Sequence, residues 1–196
     1  MSVAAKKLTW DDIKDWPEDA GRTEIVDGEL VMSPTPATRH QRICTLLGAE
    51  IFLFVRQNNL GEFLSSPIHV ILAPHVHYEP DLCFISKQRQ PIVKEKFIDG
   101  PPDLIIEVIS ESNRTHDTVV KFQHYAQYGV AEYWLVDPRD NEISTWRLEG
   151  NEYTLLARAR PGDCILTDVL SGLELDPTSV LGESKIQSPI QSPERK

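Results

Sequence analysis

A glutamate lies inside what is otherwise an apolar stretch of the chain. Glu107 interrupts the run from Leu104 to Ile109, and a carboxylate in a core strand is costly unless it is paired, protonated or bound to a cation. Asp103 shares one face of this predicted strand with Glu107, but four residues of extended chain separate the two by about 13 Å. Because Mg²⁺ ligands lie at about 2 Å, Asp103 and Glu107 are too far apart to share one ion easily.

A second carboxylate should therefore come from a neighbouring strand. Asp81 fits, since it follows Pro80 at the start of another predicted strand. Asp81, Glu107 and the backbone carbonyl of Val108 would hold a hard divalent cation, Mg²⁺ or Mn²⁺, with positions open for water and phosphate. The predicted chemistry is metal-assisted phosphodiester hydrolysis.

Such hydrolysis also needs a cationic side chain near the attacked phosphate, to offset developing negative charge. A lysine two residues after Glu107 would lie on the same strand face, but that position is Ile109. Lys121, on the helix predicted to follow, is an alternative source. Asp117 precedes it by four residues, so Lys121 could instead form an ordinary helix ion pair. Spacing alone favours the ion pair. Tyr125 and Tyr128, on the same helix face, are interpreted as packing residues.

The elements that would position these residues follow from periodicity and turn signals. Asp27-Gly28 is typical of a hairpin turn, Thr9 and Thr35 are candidate helix caps, and Pro36 suits a first helical position. In chain order we predict a helix over 8–16, a hairpin over 23–32, a helix over 36–58, strands over 62–66, 68–73 and 81–85, a strand, helix and strand within 101–138, and a hairpin over 142–158. Together they predict an α/β (α+β) fold with a central mixed sheet.

Several further side chains have both a functional and a structural interpretation. Glu24 and Glu29 project from one face of the first hairpin, and such pairs are more often a solvated face than a site. Glu50 borders the apolar stripe of the long helix and could contribute to a metal site, although a solvated flank is the commoner outcome. His40, near the N-terminal end of the stripe, is more often structural than catalytic. The pair His75 and His77, with Glu79 as a third ligand, could bind a transition metal, although a surface connection between Pro74 and Pro80 is favoured.

The charge balance restricts how the chain could meet nucleic acid. The net charge is −10 and the pI is near 5.0, so the chain as a whole repels a phosphate backbone. The exception is the stretch 87–96, a predicted loop in which four cationic residues accompany a single Glu95. These residues, Lys87, Arg89, Lys94 and Lys96, are weak candidates for contacts with a nucleic-acid backbone, and a solvated loop is the alternative.

Length and composition predict one domain over 1–182, with a core at about 23–177 and a disordered tail over 183–196 that repeats Ile-Gln-Ser-Pro. No signal peptide or membrane-spanning run is evident. The three cysteines contain no Cys-x-x-Cys pair, so neither a disulfide framework nor a cysteine zinc site is indicated. We expect a cytoplasmic location.

An ordered set of motifs resembles the PD-(D/E)xK superfamily of restriction-endonuclease-like nucleases. More closely, it resembles a large bacterial family assigned as endonucleases and first catalogued as a domain of unknown function. The set comprises Glu24-Ile-Val-Asp-Gly-Glu-Leu, Ser33-Pro with His40, Glu79-Pro-Asp81-Leu, Pro102-Asp-Leu-Ile-Ile-Glu-Val-Ile-Ser110, Lys121, Tyr125 and Gly129-Val-Ala-Glu-Tyr-Trp-Leu-Val-Asp-Pro138.

The resemblance implies a restriction-endonuclease-like sheet, Asp81 and Glu107 as metal ligands, and a lysine moved from the strand to the helix, which points to Lys121. Glu24 matches a recurrent acidic position. The expected activity is a Mg²⁺- or Mn²⁺-dependent endonuclease acting on DNA, with a homodimer plausible because cutting both strands usually takes two sites. The alternative is a catalytically silent module that retains the fold for binding or dimerisation.

Overall fold

The computed structural model describes residues 6–16, 21–111 and 113–182. The predicted tail over 183–196 lies outside the described residues. Strands are β1 Thr23–Val26, β2 Glu29–Met32, β3 Gly61–Ser65, β4 His69–Ala73, β5 Val76–Tyr78, β6 Leu82–Ser86, β7 Phe97–Asp99, β8 Leu104–Val108, β9 Glu132–Asp137, β10 Glu142–Glu149 and β11 Glu152–Ala159. Helices are α1 Trp10–Ile13, α2 Thr38–Gln57, α3 Phe122–Gln127 and α4 Thr178–Leu181, with a 3₁₀ helix Lys87–Ile92 and a π-helical turn His116–Lys121.

The strands form two mixed sheets rather than the single central sheet expected. One has the order β11-β10-β9-β8-β6-β3, and the other has the order β2-β1-β5-β4-β7. Each contains one parallel pair, β8 with β9 and β4 with β7. The predicted class, α+β with helices against mixed β-structure and an N-terminal hairpin, is confirmed.

The chain passes between the sheets at two proline-containing links. It leaves the six-stranded sheet after β3 at Ser66-Pro67, forms β4 and β5 in the other sheet, and returns through Pro80 and Asp81 to β6. Proline has no N–H to donate to a strand ladder, so it favours such breaks. Asp81 therefore lies where the two sheets meet.

The first hairpin has the predicted register, with Glu24 opposite Val31 and Ile25 opposite Leu30. Asp27 and Gly28 both have positive φ, as a two-residue type I′ turn requires. The solvated-face interpretation is wrong for Glu24, which is 0% exposed, and right for Glu29, which is exposed. The difference arises because β1 is an inner strand that pairs with β5 as well as β2.

Helix α2 begins two residues later than predicted. Its N-cap is Ala37, so Thr35 does not cap it and Pro36 lies outside. The stripe Ile43, Leu47 and Ile51 is buried and packs in one cluster with residues of β6, β8 and β9, while Glu50 is exposed. The stripe fixes the helix across one face of the six-stranded sheet.

The segment from β8 to β9 is a parallel crossover, as predicted. Leu104 aligns with Glu132, and Gly129 ends the helix with a positive φ. The π-helical turn at its start was not predicted; π turns are frequent at functional sites. Asp117 and Lys121, at either end of this turn, are both buried.

Two predicted loops are regular structure instead. The favoured surface connection at 75–77 is wrong, because Val76–Tyr78 is the buried strand β5, and His77 is 1% exposed. His75 contacts the Leu8 carbonyl oxygen at 2.8 Å and is not grouped with His77 and Glu79 as a potential metal ligand. The basic stretch 87–96 contains the 3₁₀ helix and leads into β7.

Candidate active site

Asp81 and Glu107 lie on neighbouring strands and face each other. The antiparallel register pairs Leu82 with Ile106, so the next positions outward are Asp81 and Glu107. Asp81 Oδ2 accepts a hydrogen bond from the Val108 N–H at 2.8 Å. Both side chains are almost fully buried, at 3% and 2% exposure. The adjacent-strand arrangement is the one that the spacing predicts.

Lys121 reaches this pair from the helix. Its Nζ lies 2.9 Å from Glu107 Oε1 and 2.9 Å from Glu24 Oε1. The ion pair with Asp117 also exists, but at a longer 3.6 Å. Both interpretations of Lys121 therefore hold geometrically, and its shorter contacts are with the strand carboxylates. The structure brings together Asp81, Glu107, Lys121 and Glu24.

The four candidates are held by further polar side chains. Tyr125 Oη donates to Glu107 Oε1 at 2.9 Å, so the residue interpreted as packing also orients a carboxylate. His116 Nε2 lies 2.9 Å from Glu24 Oε2. No local sequence signal identifies His116, because it lies 92 residues from Glu24.

Arg22 is the cation that sequence reasoning missed. Its Nη1 lies 3.0 Å from Asp81 Oδ1 and its Nη2 lies 3.4 Å from Glu107 Oε2. The same Nη2 donates to the Glu79 carbonyl oxygen. The sequence does hold one indication of this position. Arg22 is two residues before Glu24, and residues two apart on an extended chain face the same side. The guanidinium thus lies between the two carboxylates predicted to bind metal.

His40 holds Asp81 from the other side. Its Nε2 lies 3.0 Å from Asp81 Oδ2, and its Nδ1 lies 3.6 Å from the Cys44 thiol, one helical turn along α2. The structural role favoured for His40 is therefore a contact with a candidate site residue. Asp103, excluded by spacing, instead accepts a hydrogen bond from the Ser86 N–H.

Burial and charge move the pKa values of these groups in opposite directions. Burial, together with the nearby Asp81, raises the pKa of Glu107. Burial would also raise that of Asp81, but His40 and Arg22 hold its pKa below the usual range. Although burial opposes the charged form of Lys121, the carboxylates of Glu107, Glu24 and Asp117 raise its pKa. Lys121 is therefore a fixed cation at neutral pH.

Comparison with known proteins places the chain in a family. The model of the Uma2 family, described as "Putative restriction endonuclease", matches residues 10–178. The chain belongs to the Uma2 family. Among solved structures, it is similar to the crystal structure of "a putative nuclease belonging to DUF820" from Anabaena variabilis, at 20% identity and a TM-score of 0.73, covering 89% of this chain and 97% of that chain. No curated protein matches the sequence.

The donor set of this Uma2 chain suits a hard divalent cation. In the described part of the chain, the site gathers four carboxylates, from Glu24, Asp81, Glu107 and Asp117, around two permanent cations, Arg22 and Lys121. Buried negative charge in excess of its partners is costly, and a divalent cation would offset it. Carboxylate oxygens are the ligands that Mg²⁺ and Mn²⁺ prefer, so the residues present fit such an ion.

A cleft of about 1530 Å³ gives access to the site. Arg22, His40 and Asp81 line it, whereas Glu107 and Lys121 are buried and are not among its lining residues. Of the four weak candidates for contacts with nucleic acid, only Lys96 lines the cleft. Arg89 Nη1 is 4.0 Å from Asp103, and Lys94 donates to the Pro91 carbonyl oxygen.

Within the described residues, no helix is long and apolar enough to cross a membrane.

Proposed function

We propose that this protein is a Mg²⁺- or Mn²⁺-dependent endonuclease that hydrolyses DNA phosphodiester bonds. The observation that carries the proposal is the convergence of Asp81, Glu107 and Lys121 from two neighbouring strands and one helix. Arg22 contacts both carboxylates, and Lys121 contacts Glu107. Membership of the Uma2 family supports nuclease chemistry.

Asp81 and Glu107, with the Val108 carbonyl, would hold the ion. When bound, it supplies Lewis-acid stabilisation of the phosphate and lowers the pKa of a bound water. Side chains and backbone groups of the protein supply the other roles. His40 and the Val108 N–H fix one carboxylate, and Tyr125 fixes the other, so that neither has to reorganise during the reaction.

Lys121 acts as a charge stabiliser rather than as a base. Its raised pKa keeps the ammonium protonated at neutral pH, so it cannot remove a proton from the attacking water. In hydrolysis the water oxygen bonds to phosphorus and gives its proton to solvent, and one P–O ester bond breaks as the leaving oxygen takes a proton from solvent. Negative charge builds on the phosphoryl oxygens between these two events. The Lys121 ammonium, paired with Glu107 at 2.9 Å, would stabilise that charge electrostatically rather than by direct contact with the phosphate. Glu24, at 2.9 Å from Nζ, positions the ammonium for this role.

Substrate would enter through the cleft, where Lys14 and Lys96 are the lysines among the lining residues. Because the chain carries −10 overall, we expect binding to depend on these local charges and on added divalent ions. One site cuts one strand, so cutting both strands at one place would take a homodimer. The cytoplasmic location stays a prediction.

Conversion of supercoiled plasmid to nicked circles tests the proposal. We expect nicking with Mg²⁺ or Mn²⁺, none with EDTA, and a rate about 10²–10³-fold lower in Lys121→Met, the usual cost of removing one charge-stabilising group. Lys6→Met is the matched control, since Lys6 pairs with Asp12 on the surface. Equal rates for all three proteins would overturn the role of Lys121.

A catalytically silent module is the second candidate. The observation that favours it is Arg22, whose guanidinium already lies between Asp81 and Glu107. A protein of this kind would release no heat of Mn²⁺ binding that depends on Asp81, and would nick no plasmid. Heat of binding that Asp81→Asn abolishes would exclude it in favour of the nuclease.

A further inference from the structure

A second group of potential ligands lies away from Lys121, on the five-stranded sheet. His69 Nδ1 is 3.0 Å from His77 Nε2 and 3.5 Å from Glu79 Oε1. One ligand atom from each residue falls within 4.8 Å of the others. Two imidazoles and one carboxylate are a donor set that suits borderline transition metals such as Zn²⁺ rather than Mg²⁺.

Strand pairing places these three residues on one face. Val70 pairs with Tyr78 and Ile71 with His77 in the β4–β5 hairpin, which puts His69 opposite Glu79. His77 and Glu79 are two residues apart and project to the same side. The backbone therefore fixes the group, and no loop movement is needed to assemble it.

Two of the three ligand separations are close to those of tetrahedral coordination. With Zn–N and Zn–O bonds of about 2.0–2.1 Å, two ligand atoms in a tetrahedral site lie about 3.3 Å apart. The observed 3.0 and 3.5 Å bracket that separation. Three protein ligands leave a fourth position for water.

The residues around the three ligands favour metal binding in one respect and limit the metal affinity in another. The Trp10 ring lies 4.6 Å from the His69 ring and 5.0 Å from the His77 ring, between centroids. Its apolar surface excludes water from that side and favours metal–ligand bonds. The His69 side chain is 33% exposed and lines the cleft, which gives an ion a way in. Among the described residues, His77 Nδ1 has no hydrogen-bond partner; since such partners raise metal affinity 10–100-fold, binding should be moderate.

We propose that His69, His77 and Glu79 bind one transition-metal ion of the Zn²⁺ class. The ion would tie β4 to β5 and fix Glu79, whose backbone carbonyl oxygen accepts a hydrogen bond from Arg22. Glu79 is also two residues before Asp81, so the ion would stiffen the wall of the cleft beside the candidate active site. The binding itself does not depend on nuclease activity.

Metal titration of the full chain tests this site, with Co²⁺ as a visible substitute for Zn²⁺ and excess Mg²⁺ present to occupy hard oxygen sites. We expect one Co²⁺ per chain at micromolar concentrations, with the d–d absorption of a four-coordinate ion. Affinity should fall at least about tenfold in His69→Gln. His75→Gln is the matched control, because His75 is on the same hairpin but outside the group, and it should bind as the unchanged protein does.

Thermal unfolding supplies a readout that a folding defect would not imitate. Zn²⁺ should raise the Tm of the unchanged protein and of His75→Gln, and should leave that of His69→Gln unmoved. Since His69 is partly exposed, its variant should fold even where His77→Gln does not. The proposal would be overturned if the protein took up no Co²⁺, or if His69→Gln bound Co²⁺ with unchanged affinity. A thiolate charge-transfer band would also overturn it, because the ion would then be bound at Cys44.

Discussion

Lys121 Nζ lies 2.9 Å from Glu107 Oε1, although 14 residues separate them. The contact links the strand β8 to the helix that follows it, and it supplies from the helix the cation that Ile109 cannot supply from the strand. Because both side chains are almost fully buried, their charges interact more strongly than a surface pair would.

Arg22 should compete with a divalent ion for the same carboxylates. Its guanidinium lies 3.0 Å from Asp81 and 3.4 Å from Glu107, where a bound cation would meet like charge. We expect Arg22→Gln to bind Mn²⁺ at least about tenfold more tightly, a change of about 1.4 kcal/mol, as measured by titration calorimetry.

The control for Arg22 is Arg39→Gln, which removes an exposed arginine that contacts the Pro138 carbonyl oxygen instead. Its Mn²⁺ affinity should equal that of the unchanged protein. Weaker binding in Arg22→Gln would mean that the guanidinium builds the site instead of opposing the ion.

Tyr125 should affect turnover more than substrate binding. Its hydroxyl donates to Glu107 Oε1, and a hydrogen bond to a charged group contributes about 1.5–3 kcal/mol. We expect Tyr125→Phe to lower kcat about tenfold or more with little change in KM, because the lost bond orients a carboxylate and touches no substrate.

Tyr128→Phe provides the comparison, since Tyr128 is the C-cap residue of the same helix and is only half-buried. The prediction is tested by the kcat and KM of the two variants, measured from steady-state nicking rates. If Tyr125→Phe keeps full kcat, the hydroxyl has no part in positioning Glu107.

Glu107 should make the metal-free protein less stable as the pH rises. Burial, reinforced by Asp81, raises the pKa of Glu107 from 4.5 to about 7. Between these values the unfolded chain has released this proton and the folded chain has kept it, so the free energy of unfolding falls with pH, by at most about 1.4 kcal/mol per pH unit. Glu107→Gln has no proton to release and should lack this loss.

Urea unfolding in EDTA, from about pH 5.5 to about pH 7.5, measures the effect as the difference between Glu107→Gln and the unchanged protein. That difference should grow in favour of the variant. Glu152→Gln, at an exposed position, should follow the unchanged protein at every pH. Parallel curves for Glu107→Gln would show that Glu107 ionises in the fold as freely as in water.

Local patterns predicted the elements that carry the site. The Asp27-Gly28 turn fixes the register of β1 and β2, and Glu107 in an apolar run identifies β8, because turn chemistry and strand periodicity act within a few residues. The spacing rule that excluded Asp103 and required Asp81 also depends only on strand geometry.

Other features depend on contacts between distant parts of the chain. Arg22 reaches Asp81 across 59 positions and His116 reaches Glu24 across 92. The spacing of Arg22 and Glu24 predicts only that they share a face, and no local pattern predicts the approach of Arg22 to Asp81 or of His116 to Glu24. The division into two sheets depends on where β4 and β5 pair, and no local pattern shows this pairing. The surface connection predicted for 75–77 is wrong for that reason. The π-helical turn likewise has no periodic signature that separates it from α-helix.

Plasmid nicking by Glu107→Gln, beside Glu132→Gln, tests the central claim most directly. Both glutamates are buried on adjacent strands, but Glu132 accepts hydrogen bonds from Trp134 and from the backbone at Asp168 and Val169, away from the site. With Mn²⁺ present, the unchanged protein and Glu132→Gln should nick supercoiled DNA, and Glu107→Gln should lose at least about 10²-fold in rate. Equal rates for Glu107→Gln and the unchanged protein would contradict the assignment of Glu107 to a metal-dependent nuclease site.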